Sequence, residues 1–336
     1  MVRHIQKGYH GEVPSIFRNI IFTSVVLPME KELVDSILAD NILLPKNAKV
    51  LARPSPESSD DSDDESWSQS DESEDQAKRP EFPVFEAKLS RIINRLGGEV
   101  FPKLNWSAPK DASWMLCGNS LKCTTFSDVY LLLKSSDFIA HDLTAPYALC
   151  SDSSLDQLPQ PCIDFQPTLV LRRWMNCRPD GEFRCFVRQK ALIGISQRIH
   201  DAYFESIVAN AELICQELSE FFKEQIRDRF PLSDYTFDVH RDPPGSDHPS
   251  DVTLIDFNVF GDPTEALLFT WSELEAVDVD QTKLPTFRYQ QDRLIRPNTM
   301  SQYSLPIDFI EMASGSDPSK LVDFVQSYIE AEQNKR

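Results

Sequence analysis

Two short runs in the last third of the chain place acidic and amide side chains where they could hold a metal ion. Residues 235–241 (YTFDVHR) and 252–261 (VTLIDFNVFG) are rich in β-branched and aromatic residues, as strands are. Side chains alternate along a strand, so Asp256 and Asn258 share one face. The turn-rich residues 242–250 predict a hairpin, and pairing with Asp238 opposite would bring two carboxylates and an amide oxygen together.

Such a cluster of oxygen atoms has two interpretations. Two neighbouring carboxylates repel each other unless a cation lies between them. Oxygen ligands on a rigid support suit Mg²⁺, which fills the rest of its shell with water and phosphate oxygens. The alternative is that the Asp-x-Asn pair only caps the turn at Gly261.

Two lysines upstream could bind phosphate. A short predicted strand delivers Lys103, which is flanked by Phe101, Leu104 and Trp106, and a compact loop then delivers Lys110. An ammonium is costly to bury among apolar groups, and a phosphate partner would offset that cost. The alternative is that these lysines are solvated surface charges.

Arginines on predicted strands point to the same chemistry. Arg172 and Arg173 are consecutive, so they project to opposite faces of one strand and at least one faces inward. Arg184 lies mid-strand among apolar residues. A buried arginine needs an anion, which could be Glu182, another acid of the chain, or a nucleotide phosphate. Together with the acidic hairpin, these cations form a constellation suited to phosphates and Mg²⁺.

Composition excludes several classes of protein. The net charge of −19 argues against a general nucleic-acid binder and against adhesion to an anionic membrane. No apolar run reaches the length of a membrane span, and no signal-peptide core is present. The seven cysteines lack C-x-x-C spacing and the six histidines are unpaired, which suits a reducing compartment and argues against zinc. We expect a soluble, cytoplasmic monomer.

Apolar periodicity predicts helices and strands on both sides of one acidic segment. Residues 53–80 are dense in Asp, Glu and Ser with little to bury, so they are predicted to be disordered. The other predicted elements, in chain order, are a strand at 22–27, helices at 31–39 and 85–96 (closed by Gly97-Gly98), a helix at 129–134 opened by a capping box at Thr125, a long surface loop at 137–166, an antiparallel meander at 168–174, 182–187 and 191–196, a helix at 202–230, an apolar stretch at 266–274, a loop at 277–298 and a helix at 320–332.

Signature motifs of the common nucleotide-binding folds are absent from the sequence. There is no Gly-x-x-x-x-Gly-Lys-Ser/Thr loop, no protein-kinase signature and no Gly-x-Gly-x-x-Gly. Longer strings are distinctive instead. They are VFPKLNWSAPKD from Val100, KSSDFI from Lys134, LRRW from Leu171, EFRCFV from Glu182, LIGISQR from Leu192, LIDFN from Leu254 and LFTW from Leu268.

These strings resemble the eukaryotic cell division cycle protein 123 family over nearly the whole chain. The resemblance implies an α+β, ATP-grasp-like fold of antiparallel sheets with flanking helices, with ATP between two lobes. It divides the chain into the N-terminal part of the first lobe (1–52), the acidic loop (53–80), the first lobe (81–166), the second lobe with the nucleotide and Mg²⁺ site (167–275) and a C-terminal extension (276–336).

The resemblance also implies a set of site residues. The ATP contacts it implies are Lys103, Trp106, Ala108, Lys110, Arg172, Arg173, Trp174, Glu182, Arg184 and Ser196. The implied ligands of Mg²⁺ are Asp238, Asp256 and Asn258. Lys110 and Arg173 depart from the commonest family pattern, which has arginine and lysine respectively; these exchanges keep the charge but alter the hydrogen-bonding geometry.

Three functions remain open at this point. The resemblance implies an ATP-dependent chaperone that binds the gamma subunit of eukaryotic translation initiation factor 2 and promotes its assembly with the alpha and beta subunits, supporting translation initiation and cell-cycle progression. The second possibility is an ATP-grasp ligase working through an acyl phosphate, for which no acceptor site is evident. The third is a scaffold with a vestigial nucleotide pocket. We favour the chaperone and assign no catalytic residue.

Overall fold

A computed structural model describes residues 15–40, 45–46, 79–116, 119–146, 148, 166–243, 252–262, 264–280 and 283–293. Within these residues, eight strands form two sheets. The smaller sheet has the order β1-β3-β2, with β1 at Ser24–Pro28, β2 at Val100–Lys103 and β3 at Thr168–Arg173. The larger has the order β7-β6-β4-β5-β8, with β4 at Glu182–Arg188, β5 at Ala191–Gln197, β6 at Tyr235–Arg241, β7 at Val252–Asn258 and β8 at Thr286–Arg288. All pairings are antiparallel except the parallel pair β5 and β8.

Four helices build the core beside the smaller sheet. They are α1 (Lys31–Leu38), α2 (Pro83–Arg95), α3 (Phe126–Lys134) and α4 (Asp137–Thr144). Thr125 and Asp128 form the predicted capping box of α3. Gly97 and Gly98, both with positive φ, end α2 as predicted. The apolar faces of these helices pack with Leu169 and Leu171 of β3.

The larger sheet is covered differently on its two faces. One face packs against α5 (Glu205–Ala209), α6 (Ala211–Phe221) and a π-helical turn at Phe222–Ile226, through residues such as Phe183, Phe237 and Phe257. The other face carries Phe186, which contacts Phe269 and the start of α7 (Trp271–Ala276). In the described parts of the chain, no helix is long and apolar enough to cross a membrane.

The predicted meander is wrong in its first strand. β3 does not pair with β4 but lies at the centre of the smaller sheet, between β1 and β2. The connection from β3 to β4 spans residues 174–181 and contains a 3₁₀ turn at Pro179–Gly181, which is longer than the two to five residues typical of a hairpin loop. Only β4 and β5 form the predicted hairpin.

Three further predictions need correction. Helix α4 lies inside the predicted surface loop at 137–166, because Ser136 caps it and Ile139 is buried. The helix predicted at 202–230 is broken at Asn210, whose amide side chain donates to the backbone oxygen of Ser206 at 2.8 Å and whose backbone leaves the helical region. The loop predicted at 277–298 contains β8, a strand too short to show a pattern. The disorder predicted at 53–80, apart from its last two residues, and the helix predicted at 320–332 fall outside the described residues.

Candidate functional site

A row of polar side chains crosses the larger sheet. The strand register places Ser196 of β5, Arg184 of β4, Asp238 of β6 and Asp256 of β7 side by side. The predicted hairpin is therefore confirmed, with Asp238 directly opposite Asp256. We refer to the region beside this row, where side chains of the smaller sheet meet it, as the cleft.

A β-bulge in β7 sets the direction of its side chains. The register shifts between Asp238 and Val239, and Ile255 is the extra residue of β7. Leu254 and Phe257, three positions apart, consequently both pack into the core, and Asp256 remains in the polar row.

Arg184 and Asp238 form a bidentate ion pair in the middle of the row. Both contacts, from Nε to Oδ1 and from Nη2 to Oδ2, measure 2.8 Å. Arg184 also donates from Nη1 to the backbone oxygen of Glu265 at 2.7 Å. The Nδ2 atom of Asn258 lies 3.3 Å from Oδ2 of Asp238, so Asn258 belongs to the same cluster. The anion that Arg184 was predicted to need is thus an acid of the chain.

Asp256 meets cations that come from the smaller sheet. The ammonium of Lys103 on β2 donates to Oδ2 of Asp256, and Nη2 of Arg172 on β3 lies 3.7 Å from Oδ1. Burial alone would raise the pKa of Asp256, but Lys103 and Arg172 outweigh it and hold that pKa below its ordinary value. Burial lowers the pKa of Lys103 in spite of the carboxylate beside it. These ion pairs join the two sheets across the cleft.

Arg172 has a buried donor that is not used. Its side chain is only 7% exposed, and its Nε atom has no hydrogen-bond partner among the described residues. A buried N–H without a partner costs free energy. An anion in the cleft would satisfy it.

Lys110 and Glu182 belong to the same charged region, together with Arg198, which the sequence analysis missed. The pKa of Glu182 is raised by burial, against the opposing effects of Arg198 and Lys110. The pKa of Lys110 is lowered, first by desolvation and then by Arg198, although the residue as a whole is exposed. Water around the exposed lysine screens these effects. Arg198 follows β5 directly and ends the string LIGISQR, which is the signal that could have identified it.

The other predicted contacts are more dispersed. Ser196 is fully buried and its hydroxyl receives the backbone N–H of Leu268 at 3.4 Å. Trp106 and Ala108 lie half-buried in the loop before Lys110. Trp174 is half-buried, and its indole N–H donates to Asn176 at 2.9 Å. Arg173 is exposed and its guanidinium packs beside Gly97, so its side chain does not join the charged row.

The donors present fit both groups that the sequence predicted. Asp238, Asp256 and Asn258 supply oxygen ligands only, with two carboxylates, as Mg²⁺ sites that bind nucleotides commonly do. No cluster of three or more His, Cys, Asp or Glu that could form an all-protein metal site occurs in the described residues. The spare donor of Arg172 fits phosphate. The charged side chains around the cleft are Lys103, Lys110, Arg172, Arg184 and Arg198 with Asp142, Glu182, Asp238, Asp256 and Glu265.

Comparisons with known proteins agree on one family. The model of the family described as D123 matches residues 14–313. The "Translation initiation factor eIF2 assembly protein" of Xenopus tropicalis is 41% identical over 319 residues, covering 92% of each chain. Its namesake in Xenopus laevis is 41% identical over 327 residues, covering 94% of this chain and 93% of the relative. The solved structure of Cdc123 from Schizosaccharomyces pombe superposes with a TM-score of 0.62 at 33% identity, covering 85% of this chain and 94% of that one. The resemblance drawn from the sequence strings and the mixed α+β class with antiparallel sheets are confirmed.

Proposed function

The chain belongs to the D123 family, and from this we propose that it is an ATP-binding assembly factor for eukaryotic translation initiation factor 2. Its relatives at 41% identity are named as assembly proteins of this factor, and the match spans nearly the full length of both chains. We propose the gamma subunit as the direct partner, a monomeric state and a cytoplasmic location, where translation initiates. The fold we propose is ATP-grasp-like, with the nucleotide in the cleft between the two sheets.

The nucleotide proposal is supported by one observation: cations of the smaller sheet and carboxylates of the larger sheet lie together in the cleft. Lys103 and Arg172 approach from the smaller sheet, while Asp238 and Asp256 lie on the larger one. Such an arrangement offers phosphate ligands and metal ligands within one space. The spare Nε donor of Arg172 shows that the protein's own acids do not use every donor there.

Each charged group has a role in this proposal. Lys103, Lys110, Arg172 and Arg184 would bind phosphate oxygens, whereas Asp238, Asp256 and Asn258 would hold Mg²⁺, which supplies charge neutralisation for the phosphates. Lys103 and Arg172 would turn from Asp256 to phosphate, which leaves the oxygens of Asp256 for the metal. The remaining predicted contacts, including Trp106, Ala108, Trp174, Glu182 and Ser196, would line the nucleotide.

Calorimetric titration with ATP and Mg²⁺ tests this proposal. Arg172→Met removes a cation whose hydrogen bonding is incomplete, so we expect it to fold normally and to bind ATP about tenfold more weakly, the value of one charge-assisted hydrogen bond. Arg188→Met is the matched control. Arg188 lies on β4 but donates to the backbone oxygens of Glu275 and Val277, outside the charged row, and its loss should leave ATP affinity unchanged.

The partner requires a separate measurement. The wild-type protein should capture the isolated gamma subunit, and Arg172→Met should retain that contact while promoting less assembly of the three subunits. Absence of Mg²⁺-dependent ATP binding by the wild type would leave the scaffold as the function, and a phosphorylated or ligated product formed from ATP would instead indicate the ligase. A wild-type protein that does not bind the gamma subunit would remove the chaperone proposal.

A further inference from the structure

The loop that carries Lys110 is fastened to helix α4 at two places. The carboxylate of Asp142, on α4, accepts the backbone N–H of Ser107 at 2.7 Å and the hydroxyl of Ser107 at 2.9 Å. At the second place, the loop supplies the acceptor: the carboxylate of Asp111 accepts hydrogen bonds from the hydroxyl of Ser136 at 2.5 Å and from the backbone N–H of Asp137 at 2.7 Å, at the start of α4. Residues 108–110 lie between these two attachments.

The loop itself is short and curved. The backbone N–H of Leu104 donates to the oxygen of Ser107 at 2.8 Å, which closes a tight turn directly after Lys103. The backbone N–H of Lys110 donates to the oxygen of Ala108 at 2.8 Å. The path of the chain from Lys103 to Lys110 therefore depends on what holds Ser107.

Asp142 is an unusual residue for a purely structural role. It is 5% exposed, and burial raises the pKa of its carboxyl against the hydrogen bonds from Ser107. Burying a carboxylate costs free energy, and an apolar residue at a packed helix position avoids that cost. Two hydrogen bonds to one loop residue, in contrast, fix that residue in both position and orientation.

We propose that Asp142 is a positioning residue for nucleotide binding, which acts by holding Ser107 so that Lys103 and Lys110 face the cleft together. The proposal rests on the ATP site proposed above and extends it to helix α4, whose Asp142 also acts electrostatically on Lys103. Lys110 alone would be a mobile surface lysine. The two attachments to α4 restrict the backbone on either side of it, which reduces the entropy lost when its ammonium binds phosphate.

The test compares two carboxylates that accept backbone N–H groups, Asp142 and Asp128. Asp142→Ala should weaken the binding of Mg²⁺ and ATP about tenfold, because a misplaced loop loses much of the contact that a positioned group makes. Asp128→Ala is the control: Asp128 accepts the backbone N–H groups of Thr124 and Thr125 at 2.8 and 2.9 Å on the neighbouring helix α3, away from the loop. It should lower thermal stability while changing ATP affinity less than about twofold.

A double-mutant cycle separates positioning from general destabilisation. If Asp142 acts through Lys110, then Asp142→Ala should weaken ATP binding much less in a Lys110→Met background than in the wild type. Additive losses, or an Asp142→Ala protein that is folded and binds ATP as the wild type does, would overturn the inference. If Asp142→Ala does not fold, Asp142→Asn decides. It loses one acceptor and should bind ATP about threefold more weakly, and unchanged affinity would overturn the inference.

Failure of this inference differs from failure of the proposed function. A wild-type protein that binds ATP normally, together with an unaffected Asp142→Ala variant, refutes only the role of Asp142. A wild-type protein that does not bind ATP refutes both the ATP-binding function and the role of Asp142, because the loop would then have no nucleotide to bind.

Discussion

Removal of Asp256 should destabilise the protein by an amount that follows from its two partners. Asp256→Ala deletes the carboxylate that neutralises Lys103 and Arg172, whose side chains are 9% and 7% exposed. Loss of one member of a buried ion pair costs about 3–5 kcal/mol, because the other charge stays buried without compensation. The carboxylate itself is 21% exposed, so water can replace part of it and we expect the lower end, about 3 kcal/mol.

That loss is a large share of a typical folding free energy of about 5–15 kcal/mol, but the variant should still fold. It should melt about 4–7 °C below the wild type, and its denaturation midpoint should fall with an unchanged dependence on denaturant concentration. Asp228→Ala is the control, since Asp228 is 77% exposed beside Arg227 and its loss should change stability by less than about 0.5 kcal/mol.

The pH dependence identifies the cause of the loss. The pKa of Lys103 already lies below its ordinary value in the wild type, and without Asp256 it should fall further. Between the lowered pKa of the folded state and the ordinary pKa of the unfolded state, the unfolded chain binds the lysine proton more tightly than the folded one. The free energy of unfolding therefore rises with pH across this range, up to about pH 10. The difference between Asp256→Ala and the wild type should therefore shrink between about pH 7 and pH 10.

Two results would refute this reasoning. Equal melting temperatures at pH 7 would show that Lys103 and Asp256 do not form a stabilising pair. A lower melting temperature whose deficit is the same at pH 7 and pH 10 would assign the loss to packing or to Arg172, which stays charged throughout this range, and not to the ammonium of Lys103.

Three further predictions concern other residues of the protein. Arg184→Lys replaces a bidentate pair with one contact at most, and urea denaturation should show a loss of about 2 kcal/mol. Gly181→Ala should cost about 2–3 kcal/mol, because a Cβ atom there would lie 2.6 Å from a backbone oxygen of β6; Gly98→Ala, with nothing within 4 Å but φ at +89°, should cost only about 1 kcal/mol. The side-chain hydrogen bond from Arg178 lowers the pKa of Asp180 to about 2, so this pair contributes stability above about pH 4 that is lost as the pH falls toward 2. Since Arg178 is 55% exposed, Asp180→Asn should cost no more than about 1 kcal/mol at pH 7 and nothing near pH 2, as thermal melts across this range would show.

The acidic hairpin could be predicted because its signals are local. Alternating strand residues and a turn-rich connection fix the pairing of β6 with β7, and they bring Asp238 opposite Asp256. The bulge at Ile255 has no such signal, since it depends on how Leu254 and Phe257 share the core on one side of the strand.

Elements that depend on distant residues could not be predicted in the same way. β3 looks like the first strand of a meander, yet it fills the space between β1 and β2, which precede it by at least 65 residues. Helix α4 starts where it does partly because Asp111, some 25 residues earlier, receives its first backbone N–H groups. Sequence patterns within one segment do not contain this information.

In the site, too, the sequence indicates candidate residues but not which of them pair with each other. The sequence singled out most of the charged residues that the structure brings together, though not Arg198. The arginine that needed an anion could have met Glu182, another acid or a phosphate, and the structure pairs it with Asp238. Without a ligand, every cation buried in the cleft must be neutralised by the chain itself. Under the proposed function, the network of ion pairs and the nucleotide site would therefore be two states of one set of residues. Binding of ATP and Mg²⁺ would exchange partners within this set without burying new uncompensated charge. Because Lys103 and Arg172 belong to one sheet and Asp256 to the other, the same exchange would replace the contacts that join the sheets. This would give the proposed nucleotide a physical route to influence the surface that binds the proposed partner.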